Sequence, residues 1–303
     1  MPAIFVIGSS NTDMVVKSAK LPAPGETIIG GEFLMNPGGK GANQAVAAAK
    51  LGAEVVFLCK VGSDIFGKQA IEGFKTEGID IDYVLTDAAN PSGVALILVD
   101  DKGENSIAVA SGANGNLQVE ELDSIIAQIK KEDIVLLQLE IPLATVESAL
   151  KRCSEKGAKV ILNPAPAALL NDAVFPYIDI ITPNETEAEL LTGIKVSDLQ
   201  SAESAAKALI AKGVANVIIT LGSQGALVYS QSINVLVPSP KVVAVDTTAA
   251  GDVFNGALAV ALSEGKDLKD AAEFACKVAS IAVTRMGAQA SAPKRSEIGP
   301  TFI

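Results

Sequence analysis

Ile134-Val135-Leu136-Leu137-Gln138-Leu139 and Lys159-Val160-Ile161-Leu162 are short apolar runs rich in Val, Ile and Leu, and Gly157 stands just ahead of the second. Runs this short read as buried strands, and a glycine in that place stops the preceding helix as a C-terminal cap. The same unit recurs outward in both directions: Ile4 to Gly8, Val55 to Leu58, Ile178 to Thr182, and Val217 to Leu221 after its own Gly213, with Ala-rich helical stretches between them. Strands alternating with helices predict a three-layer α/β fold, a largely parallel sheet with helices on both faces. The 303 residues could form two domains, but large α/β sheets reach this size as one unit, so a single domain over 1–303 is expected. Repeats, low-complexity tracts and linkers are absent.

Two segments break the rhythm. Asp13 to Phe33, with Leu21-Pro22-Ala23-Pro24-Gly25 as a turn, and Ser92 to Ser111, with Asp101-Lys102-Gly103 between alternating apolar positions, read as antiparallel strands without helices. Inserted at about 13–34 and 92–111, they are expected to pair into a small β-strand lid. Such a lid would cover the crevice beyond the carboxyl ends of the parallel strands, where open α/β sheets bind ligands.

Composition narrows the chemistry. The chain is 49% hydrophobic and no stretch reaches the about 18 to 20 apolar residues a membrane span needs. Met1-Pro2-Ala3 runs straight into the first strand without a basic leader, so a cytoplasmic protein is expected. Cys59, Cys153 and Cys276 are too few and too widely spaced for a disulfide framework or metal cluster and read as core thiols. A net charge of −11 without a basic run argues against a nucleic-acid partner. The chain has no histidine, which removes Ser-His-Asp hydrolysis, Cys-His proteolysis and most zinc catalysis. Any general base is therefore a carboxylate, Lys, Tyr or Cys.

Three segments carry candidate chemistry. Asn36-Pro37-Gly38-Gly39-Lys40-Gly41-Ala42-Asn43-Gln44 opens a helix predicted over Ala45 to Leu51; it lacks P-loop spacing and is either a plain turn or a place where backbone approaches a ligand. Ala244-Val245-Asp246-Thr247-Thr248-Ala249-Ala250-Gly251-Asp252-Val253-Phe254-Asn255-Gly256 precedes a helical pattern over Ala257 to Ser263. Its small residues set N–H groups at a helix start, an anion site, and Asp252 beside them is either a cap or a working carboxylate. Repulsion between that carboxylate and an anion favours the second. Thr182-Pro183-Asn184-Glu185-Thr186-Glu187 reads equally as a capping arrangement in which Asn184 caps and Glu187 reaches back. Asn11, Asp13 and Glu140 follow strands, at the edge where binding residues belong, although a lone acid there is often just a solvated loop residue.

Together these segments resemble the ribokinase family of carbohydrate kinases over essentially the whole chain. The family's first signature is similar to Gly38-Gly39-Lys40-Gly41-Ala42-Asn43, and its second to Asp246-Thr247 through Ala250-Gly251-Asp252 and Phe254. The resemblance implies ATP-dependent phosphorylation of ribose at its 5-hydroxyl, with Asp252 as the catalytic carboxylate and Ala249, Ala250 and Gly251 supplying N–H groups to the transferred charge. It implies that Asn11, Asp13, Gly39, Lys40, Asn43, Glu140 and Asp252 hold the sugar. For ATP it implies Asn184, the strand-turn Thr220-Leu221-Gly222-Ser223-Gln224-Gly225, Gly251 and Asp252, with Cys276 where relatives often place a polar residue near adenine. Glu187 falls near the family's magnesium. A potassium ion would take Asp246, the carbonyls of Thr248, Ala282, Arg285 and Gly287, and the side chain of Ser291. A homodimer through the lid strands is also implied. Within the family, deoxyribokinase, fructokinase and adenosine kinase are the alternatives. Outside it stand a silent sugar sensor, which the intact Asp252 disfavours, and a dinucleotide-binding protein, for which Gly8-Ser9-Ser10-Asn11-Thr12-Asp13 lacks G-x-G-x-x-G.

Overall fold

The computed structural model describes residues 1–299, and residues 300–303 of the expected single unit lie outside the described residues. In chain order the strands are β1 (Ile4–Ile7), β2 (Asn11–Lys17), β3 (Glu32–Gly38), β4 (Val55–Gly62), β5 (Val84–Asp87), β6 (Gly93–Val99), β7 (Asn105–Ala110), β8 (Ile134–Leu137), β9 (Lys159–Leu162), β10 (Ile180–Ile181), β11 (Asn216–Thr220), β12 (Ala226–Tyr229) and β13 (Asn234–Val237). The helices are α1 (Lys40–Lys50), α2 (Ile65–Thr76), α3 (Asp123–Gln128), α4 (Leu143–Glu155), α5 (Glu185–Thr192), α6 (Leu199–Ala211), α7 (Ala250–Ser263) and α8 (Leu268–Ala282).

A nine-stranded sheet runs in the order β13-β12-β11-β10-β9-β8-β1-β4-β5. It is parallel from β5 to β11, and β12 and β13 close it as an antiparallel edge. Side chains alternate across its central strand: Ile4 and Val6 pack with α1, α2, α7 and α8, whereas Phe5 and Ile7 pack with α3, α4, α5 and α6. Two buried apolar clusters therefore cover the two faces, as the three-layer expectation required. All three cysteines are free and buried. Among the described residues no helix is long and apolar enough to cross a membrane.

The chain leaves β1 through α1 on one face and leaves β8 through α4 on the other, although β1 and β8 are neighbours. Adjacent strands whose connections diverge open a crevice beyond their carboxyl ends. Ser9, Asn11 and Glu140 stand at that point.

A second, four-stranded sheet has the order β3-β2-β6-β7. Each expected strand pair is antiparallel, but the two pairs are joined by β2 and β6 in parallel, which the sequence reading did not anticipate. Residues 18–31 form a long irregular connection between β2 and β3, and the expected turn lies within it, where the Glu26 N–H closes onto the Ala23 carbonyl at 2.9 Å. Helix starts also move: α1 begins at Lys40 instead of Ala45, and α7 at Ala250 instead of Ala257. In α1 the reason is remote. Gly39 turns the chain with φ 88°, and the Glu140 carboxylate accepts the Lys40 N–H at 2.9 Å, a capping contact from a hundred residues away.

Candidate active site

Asp252 lies inside the first turn of α7, 5% exposed, and makes no capping bond. Its carboxylate accepts instead from two consecutive amides of α1: Asn43 Nδ2 at 2.9 Å on Oδ2 and Gln44 Nε2 at 3.1 Å on Oδ1. Ala249 provides the turn into α7 in the left-handed region, φ 58° and ψ 14°. The Ala250 N–H closes onto the Thr247 carbonyl at 3.2 Å, so the N–H groups that face outward at this helix start are those of Gly251 and Asp252. Burial pushes the Asp252 carboxyl above the usual carboxylate range, against the Lys40 ammonium and the two amide donors that favour its charge.

Lys40 is the cation at the centre of this cleft. Asp252 is the strongest influence on it, and with Glu140, Glu187 and Asp13 it raises the ammonium above its ordinary value despite burial. Glu140 accepts from Ser9 Oγ at 2.5 Å as well as from the Lys40 N–H. Asp13 is pushed up to about 6 by burial first, then by Glu140 and Asp252. Asn11 Oδ1 accepts from Asn114 Nδ2 at 2.8 Å, and Asn114 is itself oriented by the Ser10 N–H on its Oδ1 at 2.9 Å. The Asn11 amide nitrogen is thereby left to donate. Asn11 lines a cavity together with Val109, Glu140 and Pro166. Asn43 Oδ1 is buried and, among the described residues, has no partner. Thus Asn11, Asp13, Lys40, Asn43, Glu140 and Asp252 are brought to one cleft, with Gly39 as the backbone turn behind Lys40.

A second cavity is continuous with Asp252 and is lined by Lys40, Asn163, Thr182, Asn184, Glu187, Thr220, Thr247 and Ala249 to Gly251. Asn184 and Glu187 form the reciprocal cap of α5: Asn184 Oδ1 accepts the Glu187 N–H at 2.8 Å and Glu187 Oε2 accepts the Asn184 N–H at 2.9 Å. Burial raises the Glu187 carboxyl above its ordinary range, with the Asn184 hydrogen bond and Lys40 opposing. Carboxylate, amide and hydroxyl oxygens facing a shared cavity suit a magnesium ion carried by phosphates. Among the described residues no cluster of three or more metal-binding acids or cysteines occurs.

Thr220 to Gly225 turns β11 into β12, with Gly222 and Gly225 at φ 54° and 110°, and Gly222, Ser223 and Gln224 are exposed, whereas Leu221 is buried. Cys276 is 4% exposed in the apolar cluster of α7 and α8 and does not line the cavity; burial pushes its thiol to about 12. Asp246 is tied to both flanks of its loop. Thr248 N–H and Gly287 N–H donate to its two oxygens at 2.9 Å each, and these bonds hold the carboxyl below its usual range although burial works the other way. The Ala282 carbonyl accepts the Arg285 N–H at 2.9 Å, and buried Ser291 donates to Ala288 O at 2.8 Å, leaving its oxygen lone pairs available. Asp246 thus brings the segments of Thr248 and Gly287 together, and an ionised carboxylate is a ligand type that suits a hard cation.

Asn114 and Asn163 were not anticipated, and Thr182 and Asn255, which lie within two of the candidate segments, were given no role. Asn163 follows β9 directly, so the rule that singled out Glu140 after β8 would have found it. Nothing local marks Asn114.

The pfkB family carbohydrate kinase model matches residues 1–295. A ribokinase of Haemophilus influenzae is 47% identical over 97% of this chain and 96% of its own length. A deoxyribokinase of Salmonella typhi is 41% identical over 96% and 95%. The structure of Arabidopsis thaliana ribokinase complexed with ribose and ATP matches with a TM-score of 0.91 at 35% identity, covering 97% of this chain and 96% of that one. By sequence and fold alike, this chain belongs to the pfkB family of carbohydrate kinases.

Proposed function

We propose that this chain transfers the γ-phosphoryl group of ATP to the 5-hydroxyl of D-ribose, giving D-ribose 5-phosphate and ADP. The observation that carries the reading is the buried Asp252 carboxylate, held by Asn43 and Gln44 at the N-terminus of α7 with Lys40 alongside. Phosphoryl transfer needs positioning and charge neutralisation more than covalent chemistry. Asn11, Asp13, Asn43 and Glu140 hold the sugar with its 5-hydroxyl against Asp252. The sugar oxygen bonds to the γ-phosphorus as the bond to ADP breaks, and the hydroxyl proton passes to Asp252. A carboxylate is too weak a base to ionise an alcohol in advance, so the proton leaves late and Asp252 orients as much as it accepts. The Gly251 and Asp252 N–H groups face the transferred charge, a preorganised anion site. Magnesium entering with ATP would neutralise its phosphates, with Glu187 and Asn184 positioned to hold it. The nucleotide extends from there over Thr220 to Gly225.

Potassium is the proposed activator, held by Asp246, Ser291 and the carbonyls of Thr248, Ala282, Arg285 and Gly287. The second sheet acts as a lid on a single domain, because Asn11 and Asp13 lie on its β2, and two copies pair through it. The reduced, buried cysteines and the use of ATP support a cytoplasmic enzyme. The likeness to a deoxyribokinase keeps 2-deoxyribose as the second reading. A coupled ADP-release assay over ribose, 2-deoxyribose, fructose and adenosine decides between them. Ribose is expected to give the highest kcat/KM, and Asp252→Asn to lose about 10² to 10⁴-fold in kcat with sugar binding kept. A preference for another acceptor, or an active Asp252→Asn, overturns the reading.

A further inference from the structure

Gln44 never reaches the cleft. It is fully buried, yet every polar atom of its carboxamide is engaged: Nε2 donates to Asp252 Oδ1 and to Asn163 Oδ1, both at 3.1 Å, and Oε1 accepts from Gln138 Nε2 at 2.7 Å. The orientation is fixed by chemistry, since an ionised carboxylate can only accept. From Asn163 the chain of bonds continues. Asn163 Nδ2 donates to the Thr182 carbonyl at 3.2 Å, Thr182 Oγ1 donates to Asn255 Oδ1 at 2.7 Å, and Asn255 Nδ2 donates to the Gly251 carbonyl at 2.8 Å. The bonds thus run from Asp252 out through the ends of β9 and β10 and return to Gly251, the residue preceding it in α7. Gln138 completes the arrangement at the end of β8 at a cost to itself: its Oε1 is buried and, among the described residues, has no partner, with Gly8 packed so closely that any side chain there would strike it. Leaving a buried acceptor unpaired is unfavourable, and the arrangement that leaves it so is the one that turns Nε2 of Gln138 toward Gln44.

We propose that Gln44 is a positioning residue for the phosphoryl-transfer reaction, its carboxamide locked by Gln138 and Asn163 so that the Asp252 carboxylate is held in one rotation and ionised until it takes the hydroxyl proton. The inference rests on Asp252 being the proton acceptor. Asn43 and Gln44 each present a donor to one oxygen of that carboxylate, and neither offers it an acceptor, so a protonated Asp252 would have to break the set. Asn43 also has an Oδ1 that is buried without a partner among the described residues, whereas every polar atom of Gln44 is engaged and it acts only through Asp252. The other charged groups facing Asp252 are Lys40 on α1, Glu140 after β8, Asp13 on β2 and Glu187 on α5. None of them hydrogen-bonds to it, so the amide pair sets its orientation.

The test is steady-state kinetics with ATP, magnesium and ribose from pH 5 to pH 9 on wild type, Gln44→Met and Gln44→Glu, with ribose affinity from calorimetry. Gln44→Met is expected to lose about 10 to 100-fold in kcat, because small misplacements of a reacting group are expensive, while ribose affinity stays within about threefold. Its acid limb moves to higher pH, since one donor to the ionised form is gone. In Gln44→Glu only a protonated Glu can donate to Asp252, so its kcat is expected to fall with rising pH where wild type reaches a plateau. Should Gln44→Met fail to fold, Gln138→Met decides, because it leaves both donors to Asp252 in place and removes only the lock; a loss of about 3 to 10-fold in kcat at unchanged ribose affinity is expected. A folded Gln44→Met with wild-type kcat and acid limb, or in its place a Gln138→Met indistinguishable from wild type, overturns the positioning role. A wild type that releases no ADP with any of the four sugars and nucleosides overturns the underlying function instead, so the two failures are distinct.

Discussion

Asp13 faces Glu140 and Asp252 across the cleft with the Lys40 ammonium opposing, and burial is the main reason its carboxyl is pushed up to about 6. The folded value lies above the unfolded value of 3.8, so the folded chain binds this proton more tightly. The stability that Asp13 contributes is therefore full below pH about 3.8 and is lost as pH rises through about 6. Asp13→Asn is expected to stabilise the ligand-free protein by up to about 3 kcal/mol at pH 7 to 8, an advantage that vanishes near pH 4. Thermal unfolding of both proteins across that range measures it, and equal behaviour at all pH values contradicts it. Function runs the other way. On the proposed function an ionised Asp13 is to accept from sugar hydroxyls, so KM for ribose should climb as pH falls below about 6, and Asp13→Asn should lose that pH dependence along with most of its affinity. At this scale the sequence marked Asn11, Asp13 and Glu140 by their place after strands. It could not show that Asp13 and Glu140 crowd one ammonium with Asp252, because those groups come from segments far apart in the chain that only the folded sheet brings together.

Helices α1 and α7 cross where Gly256 allows it: a Cβ there would stand 2.8 Å from Ala47 Cβ and from the Gln44 carbonyl. This closeness puts Asn43 and Gln44 on Asp252, one turn earlier in α7. Gly256→Ala is expected to push the helices apart, costing about 1 to 3 kcal/mol and lowering kcat together with stability. Denaturation alongside ADP release checks both, and a stable, fully active variant would show that the crossing tolerates a methyl group. The same element scale holds the loop proposed to bind potassium. Asp246 joins Thr248 to Gly287, and the segment runs on into the Ala249 turn that starts α7. A potassium ion filling that loop should fix the turn and raise kcat. Titrating potassium into tetramethylammonium buffer is expected to activate wild type and not Asp246→Ala; a flat wild-type titration removes the activator. Helix existence was legible from apolar spacing, but both helix starts were placed late. Glycine and alanine runs carry no periodicity, and the group that caps α1 is supplied by Glu140 from the other side of the sheet.

For the whole molecule, the rhythm of short apolar runs gave the six central parallel strands of the large sheet, since each run must be buried on both faces, whereas its edge strands β5, β12 and β13 were not read from the sequence. The parallel union of β2 and β6 was hidden, because strand pairing across separate insertions leaves no local mark. That union decides what the second sheet presents. Residues opposite one another share a face, so Asn11 and Asp13 look into the cleft with Ala95 and Val109, while Met14 and Val16 look away with Phe33, Met35 and Leu96. On that outer face Phe33, Met35 and Leu96 are 61%, 45% and 56% exposed. An apolar face of this kind on a thin sheet marks an interaction surface, and a second copy presenting the same face can cover it. The dimer is thus expected to be what holds β2, and with it Asn11 and Asp13, over the cleft. Phe33→Asp combined with Leu96→Lys should give a monomer by sedimentation at micromolar concentration. KM for ribose should rise at least about tenfold while KM for ATP, proposed to bind away from the lid, changes little. A wild type that sediments as a monomer, or a monomeric double variant with unaltered KM for ribose, would separate the lid's function from its pairing.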